Sequence, residues 1–156
     1  TIHSDYCVDP MPRPTPQMLS LWGDRPSVFR SNMTWRPACR LELEICLAEP
    51  GANEPSLRVP SLHYLVPETD GSTHYFFAMG RNVMVDDEEQ TGIMAEFARR
   101  AFEDEDEPMI RQVQEMMGTS DLMALRPAIL ETDKAAVQAR RLLGLLIKQE
   151  SAVAMG

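Results

Sequence analysis

Asp106 is an acid placed where the sequence pattern asks for an apolar residue. If residues 97–117 form a helix advancing roughly 100° per residue, Phe102, Met109, Ile110, Val113, Met116 and Met117 fall on one stripe. Asp106 lands near its middle. Glu103, Asp104 and Glu107 point elsewhere and read as a solvated face. A carboxylate on an inward face costs several kcal/mol, of order 2–7 even for a neutral polar group, unless a cation or metal pairs with it. The competing reading is local. Pro108 cannot donate a backbone hydrogen bond, so Asp106 or Glu107 could cap a second helix with Pro108 in its first turn. Periodicity leaves both readings open and favours the cap.

The other residues able to do chemistry are few. Of the three histidines, His3 reads as solvated, whereas His63 and His74 fall in neighbouring predicted strands. Alternation puts His63 on a face with Ser61 and Leu65, and His74 with Ser72 and Phe76. Either could reach a cavity between sheet and helix, although strand histidines are more often simply hydrogen-bonded. The run Tyr75-Phe76-Phe77 reads first as core. Cys7, Cys39 and Cys46 are odd in number and contain no CxxC, which suggests reduced thiols and a cytoplasmic setting. The chain holds no phosphate-cradling glycine loop, GxSxG or HExxH.

The elements that must position these residues follow from the pattern. Residues 1–38 contain Pro10, Pro12, Pro14, Pro16, Pro26 and Pro37. They are expected to form an extended or looping lead-in, the tail of a truncated upstream region, with a separate unit over 39–150. From Arg40, Leu41, Leu43, Ile45 and Leu47 alternate with Glu42, Glu44 and Cys46, a strand with one apolar face. Strands are also predicted over 57–66 and 72–85, giving an antiparallel meander. Pro60 marks an edge or bulge. Asp86 to Glu89 opens a helix, a second helical stretch ends near Gly118, and a last helix starts at Thr132-Asp133. The class is α+β.

Length and composition limit the possibilities. A chain of 156 residues can bury one core, and 44% hydrophobic with 25% charged residues is ordinary for a globular domain. The net charge of −9 argues against nucleic acid and against anionic membranes as partners. No stretch has the length of a transmembrane span.

Three segments resemble a known family: residues 62–77 (Leu62-His63 through Phe76-Phe77) with Arg81-Asn82, residues 101–110 around Asp106, and the tail from Arg126-Pro127 to Arg141. They are similar to the C-terminal catalytic domain of Rieske non-haem iron oxygenases, in the group of vanillate and dicamba O-demethylase oxygenase components. The resemblance implies a helix-grip (START/Bet v 1-like) fold, a curved antiparallel sheet packed on a long C-terminal helix. It implies a mononuclear Fe(II) held by two histidines and an aspartate, with open positions for dioxygen. By position, Asp106 is then the iron carboxylate. His63 faces the small aromatic substrate, and Phe97, nine residues before Asp106, lines the pocket. Glu44 is a further pocket candidate. Electrons would arrive from a ferredoxin or reductase through a Rieske [2Fe-2S] cluster, and the intact enzyme would be a homotrimer.

The chain departs from that pattern. A Rieske cluster needs Cys-x-His and Cys-x-x-His, and this sequence has neither; only His3 lies upstream of the sheet. The expectation is a substrate-cavity portion of an oxygenase or O-demethylase that binds no iron tightly and is inactive by itself. The alternative is a non-catalytic helix-grip protein that binds a hydrophobic small molecule.

Overall fold

A computed structural model describes residues 1–11 and 15–154. Five strands, β1 (Ile2–Val8), β2 (Val28–Arg36), β3 (Arg40–Ala48), β4 (Leu57–Pro67) and β5 (Thr73–Met79), form one antiparallel sheet in chain order. A short helix, α1 (Pro16–Trp22), joins β1 to β2. After β5 the chain forms α2 (Glu88–Arg99), a π-helical segment (Arg100–Asp106) and α3 (Glu107–Met117). Two short 3-10 turns then lead to α4 (Lys134–Ala154). The α+β class holds, with two more strands than the sequence pattern gave.

Those two strands lie in the region read as a lead-in. Its prolines punctuate elements rather than occupy them. Pro10 follows β1, Pro26 precedes β2, Pro37 follows it, and Pro16 opens α1, where a missing N–H costs nothing. Pro12 and Pro14 lie outside the described residues. β2 pairs with β3 along its whole length, from Val28 opposite Ala48 to Arg36 opposite Arg40. Residues 28–36 are therefore part of the same sheet as the expected 39–150 unit.

The register assigns the faces. Leu43 stands opposite Met33 and Ser61, and Ile45 opposite Val59. His63 stands opposite Leu41 and Phe77. Leu41, Leu43, Ile45 and Leu47 therefore share the inner face with Leu57, Val59, Ser61 and His63, and with Tyr75, Phe77 and Met79. The outer face is polar: Arg36 and Arg40 meet Glu42, and Arg58 bridges Glu44 and Glu54. Pro60 sits just beyond the first β4–β5 pair, Ser61 with Met79, so its missing N–H falls where β4 has only β3 as a ladder partner.

The core lies at the Leu47–Leu57 end of the sheet. Met18 and Trp22 from α1 and Met94 from α2 pack there on Leu47, Leu57 and Val59. β5 stops at Met79, short of the expected 85, because the chain leaves the sheet at Gly80-Arg81. The Arg81 guanidinium donates to the carbonyls of Val83, Met84 and Asp87 and to Thr91 Oγ1. Met84 inside this clamp has φ +49°. Asp87 then caps α2, its side chain accepting from the Gln90 N–H at 2.9 Å.

Pro108 does not break the helix. The backbone widens ahead of it, and the Glu107 N–H reaches back five residues to the Phe102 carbonyl. This widening relieves the clash a proline ring makes with the carbonyl four residues earlier. α3 ends at Gly118, which takes the left-handed φ of +59°. α4 lies against β1, and none of its described side chains is fully buried.

Candidate functional site

Along β4 the inner face changes from core to cavity. Beyond Val59, the side chains of Ser61 and His63 point under the helices. Phe97 of α2 and Phe102 of the π-helical segment close the space with Leu43, Ile45 and Met79. The result is a cavity of about 150 Å3. A cavity of that size with aliphatic and aromatic walls accommodates a benzene-sized guest.

His63 is the polar centre of the site. It is only 3% exposed, and both ring nitrogens are engaged. Nε2 lies 2.8 Å from Ser61 Oγ, and Nδ1 lies 2.7 Å from the Tyr75 hydroxyl. Ser61 Oγ in turn donates to the Leu43 carbonyl at 3.2 Å. Burial holds the His63 pKa below its ordinary value, so the ring is neutral at neutral pH. Its faces are aromatic. Tyr75 stacks on it at 5.7 Å between centroids, and Phe102 meets it edge-on at 5.9 Å. Phe102 also packs on Tyr75 and, at 4.4 Å, on Phe77.

His63 and Phe97 both line this one cavity. The others differ. Asp106 is exposed, not turned inward, and the apolar residues of its stripe, Met109, Ile110, Val113 and Met116, are exposed with it. The stripe exists, but the described residues put no element across it. Asp106 does not act as a cap either, since its side chain makes no bond to the first turn of α3. Its charge is felt at Tyr75, whose phenol pKa is raised by burial and then by the Asp106 carboxylate. Glu44 faces the opposite side of the sheet, where both its oxygens meet Arg58 Nη1 at 3.3 and 3.2 Å. His74 is also on the outer face, near Glu68, and exposed His3 bonds Thr34 there.

Three contributors were under-read from sequence. Ser61 was seen only as a face-mate of His63, Tyr75 only as core, and Phe102 only as a stripe position. Strand alternation carried to β5 would have placed Tyr75 and Phe77 beside His63. Nothing in the sequence gives the π-helical offset that aims Phe102.

Among the described residues no group of three His, Cys, Asp or Glu side chains is placed to bind a metal. Both nitrogens of His63, the one buried histidine, are already bonded.

A five-stranded antiparallel sheet with a cavity under the helical run of α2, the π-helical segment and α3 is the arrangement of the helix-grip class of small-molecule domains. The family described as vanillate O-demethylase oxygenase C-terminal domain matches residues 6–149, and the chain belongs to it. The chain is 40% identical over 117 residues to the oxygenase component of chloroacetanilide N-alkylformylase from Rhizorhabdus wittichii. It is 30% identical over 123 residues to that of dicamba O-demethylase from Stenotrophomonas maltophilia. These matches cover 74% and 78% of this chain but 34% and 36% of the relatives, so the chain spans about a third of their length. The structure of dicamba monooxygenase bound to 3,6-dichlorosalicylic acid superposes with a TM-score of 0.87 and 26% identity, over 96% of this chain and 45% of that one. Its apo structure gives 0.83, over 96% and 47%. The resemblance to Rieske-type oxygenase components therefore stands, and it reaches further upstream than the motifs that suggested it.

Proposed function

We propose that this chain forms the substrate cavity of an oxygenase component that oxidises a small aromatic acid with dioxygen, by O-demethylation or hydroxylation. The observation that carries the reading is the cavity itself. It has room for one aromatic ring, mostly apolar walls, and a hydrogen-bonded polar pair, half-buried Ser61 and buried His63, at one point of its wall. Phe97 packs on the ring of the guest, and His63 meets its polar group. An apolar pocket with few convergent polar groups is what fixes the orientation of such a ligand.

Asp106 is proposed as the carboxylate that this domain contributes to an iron site whose histidines come from elsewhere in a longer protein. In such a protein a Rieske cluster, fed by a ferredoxin or reductase, would supply electrons. A homotrimer and a cytoplasmic location complete the proposal. Among the described residues no helix is long and apolar enough to cross a membrane.

The alternative, a binder without catalysis, uses the same cavity; membership of an oxygenase domain family weighs against it. Two measurements test the proposal. Calorimetric titration with 3-methoxybenzoate should show binding that Phe97→Ala and His63→Ala each weaken. Binding equal in all three proteins would remove the cavity from the account. Iron analysis of the chain after incubation with Fe(II) should find far less than one iron per chain. A near-stoichiometric result would show that the metal set is complete here and would contradict the shared-site proposal.

A further inference from the structure

We infer that Arg81 and Asn82 form a strap that sets how closely α2 lies over the sheet, and that Arg81 is thereby a positioning residue for the size of guest the cavity takes. β5 ends at Met79, a wall of the cavity. Two more bonds tie the chain to β4 beyond it. The Gly80 N–H donates to the Pro60 carbonyl at 2.9 Å, and the Asn82 N–H to the Arg58 carbonyl at 3.2 Å. The Asn82 side chain doubles this hold. Its Oδ1 accepts from the Arg58 N–H at 2.7 Å, and its Nδ2 donates to the Ser56 carbonyl at 3.0 Å. Asn82 is thus fastened to the sheet by main chain and side chain together.

Arg81 holds the helix from the same point. Its Nη2 donates to the Asp87 carbonyl at 2.8 Å and to Thr91 Oγ1 at 3.0 Å, and its Nη1 meets Met94 Sδ at 3.6 Å. Positions 87, 91 and 94 follow one stripe at the start of α2, and Phe97 continues it three residues on. Phe97 and Met79 both line the cavity, so one side chain couples two of its walls. Among the described residues the partners of Arg81 are carbonyls, a hydroxyl and a thioether rather than a carboxylate. A cation beside the N-terminus of α2 opposes the helix dipole, so charge does not explain the arrangement. A planar fork of five donors does, and lysine has the charge without the fork. Arg81 lies outside the cavity lining, so its effect on a guest passes through α2. The strap stands on these bonds alone; its consequence for guests rests on the proposed substrate cavity.

The test compares two guests of different size, 3-methoxybenzoate and 2-naphthoate, by calorimetric titration of the full chain. In Arg81→Lys and in Asn82→Ala the ratio of the two affinities should move about tenfold toward the two-ring guest, the low end of what one methylene of pocket fit carries. Lost stability lowers both affinities by the same folded fraction and leaves their ratio alone. Val28→Ala, a buried change outside the core cluster and the cavity, should show this. Methionine methyl NMR gives a readout that needs no guest. Met18 and Met79 line the cavity, and their native-state signals should shift in Arg81→Lys and Asn82→Ala but not in Val28→Ala. An unchanged affinity ratio in Arg81→Lys, or unmoved Met18 and Met79 signals, overturns the inference. If the parent protein binds neither guest, the cavity reading fails and the methionine signals alone decide the strap.

Discussion

Phe102 meets His63 edge-on, with ring centroids 5.9 Å apart, although one belongs to the helix and the other to the middle strands of the sheet. The contact exists because the helix widens between Arg100 and Asp106, just ahead of Pro108. A proline that by sequence threatened to end the helix instead comes with the local geometry that aims an aromatic ring at the site.

Phe102 is therefore expected to be a fastening of helix to sheet as well as a cavity wall. Phe102→Ala removes the ring contacts to His63, Tyr75 and Phe77. Since the side chain is only half-buried, the cost should lie at or below the lower end of the range for buried aromatics, about 2–3 kcal/mol. Urea unfolding of the two proteins measures it; a loss below about 0.5 kcal/mol, the scale of an ordinary surface substitution, would mean that the cluster does not hold the helix.

The buried, neutral His63 makes stability depend on pH in one direction. Its folded pKa lies below the ordinary 6.5 because burial disfavours the charged ring. Below pH 6.5 the unfolded chain takes up a proton that the folded chain resists, so stability falls as pH drops from 6.5 toward the folded value. Above 6.5 this group contributes no slope. Denaturation midpoints measured between pH 8 and about 5, above the range where carboxylates dominate, should fall on the acid side. The fall should be smaller in His63→Gln, and equal slopes in the two proteins would show that His63 is not the source.

Methionines of this chain divide by position. Met94 is 6% exposed in the core under α1, and Met116 is 90% exposed on α3. Met94→Ala should cost about 2–5 kcal/mol, whereas Met116→Glu should stay within about 0.5 kcal/mol. Thermal unfolding of both variants decides. A large loss from the α3 change would mean that its apolar stripe is covered in solution.

How far the sequence could be read depended on what set each feature. The alternation of Leu41, Leu43, Ile45 and Leu47 gave β3 directly, because period two is a local signal. Alternation offered His63 and His74 equally as cavity residues, and the placing of His63 and Phe97 on a pocket rested on family likeness. β1 and β2 were hidden by prolines that flank them, although Phe29, Met33 and Trp35 alternate with Arg30, Asn32 and Thr34 in the same way. Asp106 was misplaced for a different reason. Helical period tells which residues share a face, but not whether anything covers that face. Only the tertiary arrangement shows that the Met109–Met116 stripe is open and that Asp106 reaches the site through its field at Tyr75.

The central claim is that a small aromatic acid enters the space between β4 and the helix. Chemical-shift mapping of the labelled chain with 3-methoxybenzoate tests it most directly. The account expects saturable shifts centred on Ser61, His63, Phe97 and Phe102, with the outer-face groove around Asn32, Glu42 and Glu44 unmoved. Shifts centred on that groove, or none at concentrations well above a millimolar dissociation constant (about −4 kcal/mol of binding), would contradict it.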